Sequence, residues 1–199
     1  MTKINSVCVY CGSSPGRISS YAEQAALLGS ELAINGIELV YGGGGAGLMG
    51  EVARAALAAG GRVTGIIPEF LISKERMLDG VNELIVTQNM HERKMSMFER
   101  SDAFVALPGG IGTLEELVEI STWLQLGQHT KPIVLVNVDG FWDPLLTLFD
   151  HMRREGFLRA GFDIELGVVA DATLVIPHLL DRAEQQRQKV PYRPIRSTM

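Results

Sequence analysis

Pro108-Gly109-Gly110-Ile111-Gly112-Thr113-Leu114-Glu115-Glu116 carries the residue types from which chemistry on a phosphorylated substrate is built. An apolar run, Ala103 to Leu107, precedes it and reads as a buried parallel strand. The stretch Thr113 to Leu126 reads as a helix, with apolar residues at Leu114, Leu117, Val118 and Leu124. Strand, glycine turn and helix start together make an anion site. The glycines let backbone N–H groups approach an oxyanion, and the positive end of the helix dipole favours it. Glu116, one helical turn inside that cradle, is what an ordinary phosphate loop lacks. A carboxylate beside an anion site points to a reaction on the bound ligand. The local alternative is a capping box, in which Thr113 caps the helix and Glu116 reaches back to the same turn.

Three further segments bear on chemistry. The tract Gly42 to Gly50 contains the G-x-G-x-x-G spacing twice, between an apparent strand and a helix. It fits a dinucleotide site, a tight structural turn or part of a nucleotide pocket; Glu69 is the only acidic residue near the place a dinucleotide site requires. Met90-His91-Glu92-Arg93-Lys94 opens a helix. Its H-E-x-x-H reading fails because Met95 stands where the second histidine belongs, and no other cluster has ligand spacing, so no metal is expected. As a charge run it reads as a solvated face, but Arg93 lies just past a strand end, where it would pair with Glu116 or grip a phosphate through its planar fork. Cys8 and Cys11 have C-x-x-C spacing but fall on a strand, whose residues three apart point to opposite faces, so redox or metal use is not expected.

These residues need a scaffold, and the chain alternates strand-like with helix-like segments. The strands read as Ile4–Tyr10, Ile37–Tyr41, Arg62–Ile67, Glu83–Thr87, Ala103–Leu107, Pro132–Val138 and Thr173–Ile176. Helices read near Tyr21–Ile34, Leu48–Ala59, Asn89–Arg100, Thr113–Leu126, Phe141–Arg154 and His178–Gln188. This order predicts an α/β fold: one Rossmann-like, doubly wound domain over residues 1–188, with a parallel sheet of about seven strands and helices on both faces. Residues 189–199 read as a solvated basic tail. In such a sheet ligands bind outside the carboxyl ends of the strands, where Cys11–Gly16, Tyr41–Gly50 and Pro108–Glu116 all fall.

The composition narrows the classes. With 18 basic and 23 acidic residues and a net charge of −5, nothing draws the chain to nucleic acid or to an anionic membrane. No leader-like segment opens the chain and no run approaches membrane-spanning length, so a soluble cytoplasmic protein is expected.

Together these segments resemble the LOG family, the "Lonely Guy" cytokinin-activating phosphoribohydrolases, whose bacterial members were often labelled lysine decarboxylases. The resemblance runs from Cys11-Gly12-Ser13-Ser14 through Tyr41–Gly44 and Gly47–Gly50 nearly to the end. Its most specific parts are Met90-His91-x-Arg93-Lys94 and Pro108 to Glu116. It implies hydrolysis of the N-glycosidic bond of a nucleoside 5′-monophosphate, AMP or isopentenyl-AMP, to free base and ribose 5-phosphate, with no cofactor. It also implies a homodimer, in which Trp123 sits either at a two-fold interface or in the core. Arg93 and Glu116 match the family's catalytic pair, and Gly110, Ile111, Gly112 and Thr113 its phosphate cradle, with Lys94 beside Arg93 in the pocket. Thr122 matches a substrate-contacting threonine. Glu75 matches a glutamate of a segment that usually reads M-P-R-E, here Ile72-Ser73-Lys74-Glu75. None of the five lysines sits in a recognisable pyridoxal-phosphate motif, so decarboxylation finds no support. The competing reading is a non-catalytic nucleotide or cofactor carrier on the same fold.

Overall fold

The computed structural model describes residues 3–73, 77–158 and 166–189. In chain order the elements are β1 Ser6–Tyr10, α1 Ser19–Ile34, β2 Glu38–Tyr41, α2 Gly47–Ala58, β3 Val63–Pro68 and the short α3 Glu69–Ile72. Then follow β4 Glu83–Thr87, α4 Met90–Glu99, β5 Ala103–Ala106, α5 Ile111–Gln125, β6 Ile133–Val136, α6 Asp143–Arg154, β7 Gly167–Val169 and α7 Val175–Lys189. The strands form one seven-stranded sheet in the order β4-β3-β2-β1-β5-β6-β7, every neighbouring pair parallel.

Alternation along each strand divides the core in two. Val7, Val9, Val105, Val134 and Val136 face one side, where α1, α2 and α7 pack through residues such as Leu28, Val52 and Leu179. Cys8, Tyr10, Phe104, Ala106, Ile133 and Leu135 face the other, under Met97 of α4, Leu117 and Ile120 of α5, and Trp142 at the start of α6. Strands β1, β2, β3, β5 and β6 are covered on both faces, which is why they read as continuous apolar runs, whereas edge strand β4 alternates buried or partly buried residues with exposed ones. The two cysteines lie in separate clusters, Cys8 with the second and Cys11 with the first.

The chain steps outward from β1 to β4, then returns to lay β5 beside β1. The loops leaving β1 and β5 therefore part to opposite faces, and a crevice opens between them at the carboxyl end of the sheet. The expected strand at Thr173–Ile176 is corrected: the seventh strand is Gly167–Val169, paired through Val136↔Val169. Thr173 instead sits in a 3-10 turn, where the Asp171 carboxylate accepts from its backbone N (2.8 Å) and its hydroxyl (2.6 Å), and the β-branched run continues into α7. Among the described residues no helix is long and apolar enough to cross a membrane. Residues 190–199 of the expected tail lie outside the described residues.

Candidate active site

The start of α5 decides how Pro108–Glu116 works. Gly110 is the residue before the first helical turn, and no side chain caps that turn. The capping-box alternative is thereby corrected: Thr113 is the third residue of the helix, not its cap, and Leu114 N donates to Gly110 O at 3.0 Å. A helix leaves its first N–H groups without intrahelical partners, and here those belong to Ile111, Gly112 and Thr113. Gly109 keeps the turn tight, since a Cβ there would stand 2.2 Å from the Thr113 hydroxyl.

These residues border a cleft of about 230 Å³. Gly110 to Thr113 and Glu116 form its α5 side, Cys11 to Ser13 the β1 side, and Met49 and Arg93 complete it. The two loops are tied together, with Gly12 N donating to Pro108 O at 3.1 Å. The glycine tract presses α2 onto the β1 loop: Leu48 and Met49 donate to Gly12 O at 3.0 and 3.3 Å. Gly47, at φ +55°, allows the approach, because a Cβ there would stand 2.3 Å from the Ser13 carbonyl carbon. A second cavity of about 200 Å³, walled by Tyr21 and Phe141, adjoins the cleft and shares Gly12, Ser13 and Gly110 with it.

Arg93 enters from the first turn of α4. Asn89 caps that helix by accepting from Glu92 N at 2.9 Å, and Glu92 reaches back to accept from Gln88 N at 2.9 Å. The local reciprocal cap thus lies here, and Glu92 serves the backbone. Arg93 is only 7% exposed. Its Nε donates to Ile66 O and its Nη2 to Gly42 O, each at 3.1 Å. Its Nη1 stands 3.9 Å from Glu116 Oε1, an ion pair longer than a direct hydrogen bond. With both side chains nearly buried, the pair interacts in a medium far less screening than water. Burial first, and the Glu116 charge second, push the Cys11 thiol far above its ordinary range, so Cys11 is a neutral wall of the cleft.

The structure thus brings together Arg93, Glu116 and Gly110 to Thr113. Lys94 does not line the cleft; its Nζ donates to Glu115 Oε1 (2.6 Å) and Glu119 Oε1 (3.0 Å), joining α4 to α5. Burial alone would lower the Lys94 pKa, but the two carboxylates outweigh it and hold the ammonium above its usual value. Thr122 does not line the cleft either; it is exposed and its hydroxyl donates to Val118 O at 2.7 Å. Glu75 lies outside the described residues. Ser13 and Met49 line the cleft without having been expected to. Their signal was the placement of Cys11–Gly16 and Tyr41–Gly50 at strand ends.

Comparison with known proteins identifies the family. The family model described as "Possible lysine decarboxylase" matches residues 49–179. A probable cytokinin riboside 5′-monophosphate phosphoribohydrolase, LOGL1 of Oryza sativa subsp. japonica, is 52% identical over 154 residues, 77% of this chain and 69% of that protein. The cytokinin riboside 5′-monophosphate phosphoribohydrolase LOG4 of Arabidopsis thaliana is 50% identical over 157 residues, 79% of this chain and 73% of that one. Among solved structures, a molybdenum cofactor carrier protein from Chlamydomonas reinhardtii superposes with a TM-score of 0.64 at 24% identity, covering 92% of this chain and 99% of that one, a likeness of fold. By sequence over most of its length, the chain belongs to the LOG, or Lonely Guy, family.

Proposed function

We propose that the protein hydrolyses the N-glycosidic bond of adenosine 5′-monophosphate and of its N6-modified forms, releasing the base and ribose 5-phosphate. The observation that carries this reading is the convergence of the Arg93–Glu116 pair and the uncapped first turn of α5 on one cleft, in a chain half identical to phosphoribohydrolases. The 5′-phosphate lies at the N–H groups of Ile111, Gly112 and Thr113, where the helix dipole favours it. That contact is remote from the reacting bond and serves to orient it.

As the bond from C1′ to the base breaks, its electron pair leaves with the base and positive charge spreads over the sugar ring. Glu116 stabilises that charge and orients the attacking water, which becomes the 1-hydroxyl of ribose 5-phosphate. A proton passes to the departing base. Arg93 holds Glu116 toward the ring. A homodimer belongs to the same reading: Ile111, Val118 and Leu126 are exposed apolar residues along α5, with Ile111 82% exposed at the mouth of the cleft. Thr122 stands in that line, so its expected substrate contact belongs to the cleft of a second copy. We place the protein with the cytoplasmic nucleotide pool.

Chromatography of the free base tests the reading. AMP and isopentenyl-AMP should both release base, and adenosine should react at least about a hundredfold more slowly. Equal rates with adenosine would remove the phosphate cradle from the account. Tight binding of AMP without release would favour the carrier.

A further inference from the structure

We infer that Gly42 is a positioning residue for this reaction. Its missing side chain opens the slot in which the Arg93 guanidinium lies, and its carbonyl, with that of Ile66, sets which edge of the guanidinium faces Glu116. The inference rests on Arg93 and Glu116 being the reacting pair.

The glycines of the tract differ in what they require. Gly43 and Gly47 have φ of +80° and +55°, a backbone that side chains disfavour. Gly50 meets backbone, since a Cβ there would stand 2.3 Å from Gly45 O. Gly42 has neither reason: its φ is not positive. Its three nearest neighbours are all side-chain atoms. A Cβ on it would stand 2.2 Å from Arg93 Nη2, 3.1 Å from Met49 Sδ and 3.4 Å from Arg93 Cζ. The backbone tolerates alanine at this position; the guanidinium does not.

What an added methyl would displace is a two-point mount. A planar guanidinium held at Nε by Ile66 O and at Nη2 by Gly42 O has no freedom to rotate about its own plane. The two carbonyls also satisfy a cation that is almost wholly buried. The edge left facing the cleft carries Nη1, 3.9 Å from Glu116 Oε1 and 3.9 Å from Met90 Sδ, a weak acceptor in the same helical turn that leaves the two carbonyls to set the aim. Ile66 lies in β3 and Gly42 directly follows β2, so the sheet itself sets the aim of Arg93.

The test compares Gly42→Ala, Arg93→Ala and the double variant, with adenine release from AMP as the activity. Gly42→Ala should keep the wild-type circular dichroism and lose about a hundredfold in kcat, the scale of a 1 Å misplacement, with KM changed less than about threefold. In the Arg93→Ala background the same change should cost nothing further, because its effect passes through Arg93. Wild-type kcat in Gly42→Ala, or an added loss in the double variant, would overturn the inference. If Gly42→Ala alone fails to fold, the double variant decides. Folding of the double supports the slot, and its failure overturns it.

A readout without turnover separates this from the catalytic reading. The Arg93 Nε–H resonance should move in Gly42→Ala, and an unmoved resonance would overturn the inference even in a protein that releases no base. Absence of base release by the wild type would instead overturn the catalytic reading alone.

Discussion

At the scale of single residues, the site turns on one carboxylate. Glu116 is the sixth residue of α5, and its side chain is close to buried beside Arg93. A carboxylate there would repel a phosphate, so in the proposed reaction it acts on positive charge. Glu116→Gln keeps the shape and removes the charge, so adenine release from AMP should fall about a hundredfold or more while phosphate-dependent binding persists. Equilibrium binding of ribose 5-phosphate, alongside kcat for AMP, checks both halves. An unchanged kcat would remove Glu116 from the chemistry. The pairing itself was legible in the sequence, because a strand–glycine–helix segment and an Arg-bearing helix start both fall at the carboxyl edge of one parallel sheet. Ser13 and Met49 were not legible as contacts. They reach the cleft only because Gly47 lets α2 lie against the β1 loop, an approach that no local spacing encodes.

At the scale of elements, the termini of α4 and α5 position the charged pair. Asn89 and Glu92 form the reciprocal cap of α4 and so fix the first turn that carries Arg93. The sequence places the start of α5 two residues late, at Thr113 rather than Ile111, since Ile111 and Gly112 are weak helix formers and Thr113-x-x-Glu116 imitates a cap. Lys94 then bridges α4 to Glu115 and Glu119 of α5, on either side of Glu116 in sequence. The far end of α5 is held by His129, which is buried, with Nε2 3.0 Å from Ile120 O while Nδ1 accepts from Lys131 N at 3.1 Å. That pattern fixes the neutral tautomer with its proton on Nε2. Burial first lowers the His129 pKa, and the Lys131 ammonium adds to it, against the Ile120 contact. A folded pKa below the unfolded value of about 6.5 means that the unfolded chain takes up the proton more readily. His129 therefore contributes stability above pH 6.5 that is lost as pH falls through its folded pKa. Thermal midpoints should decline from pH 7 toward pH 5, and His129→Gln should be less stable at pH 7 yet show a flatter decline. An equally steep decline in the variant would place the acid sensitivity elsewhere.

At the scale of the whole molecule, the outer side of α5 is an exposed apolar surface that borders the cleft. Ile111, Glu115, Val118, Thr122 and Leu126 recur at three- and four-residue steps, so they share one side of the helix, and all five are exposed. Val118 and Leu126 are 41% and 62% exposed, apolar area that two copies would cover across a two-fold axis. Trp123 lies on the flank of that side, packed edge-on against Phe98 at 5.2 Å, and with Met95 and Gln128 it lines a shallow groove beside it. It is partly buried against the core under α4 and α5. Ile111 belongs both to this side of α5 and to the cleft mouth, so pairing along α5 would border the cleft and narrow its access to water. Light scattering should accordingly give twice the 21.7 kDa of one chain. Val118→Asp with Leu126→Asp should yield a folded monomer whose KM for AMP rises several-fold, because the cleft mouth is left open. A wild-type protein that is monomeric at micromolar concentration would overturn the pairing. A double variant that stays dimeric would move the interface off α5.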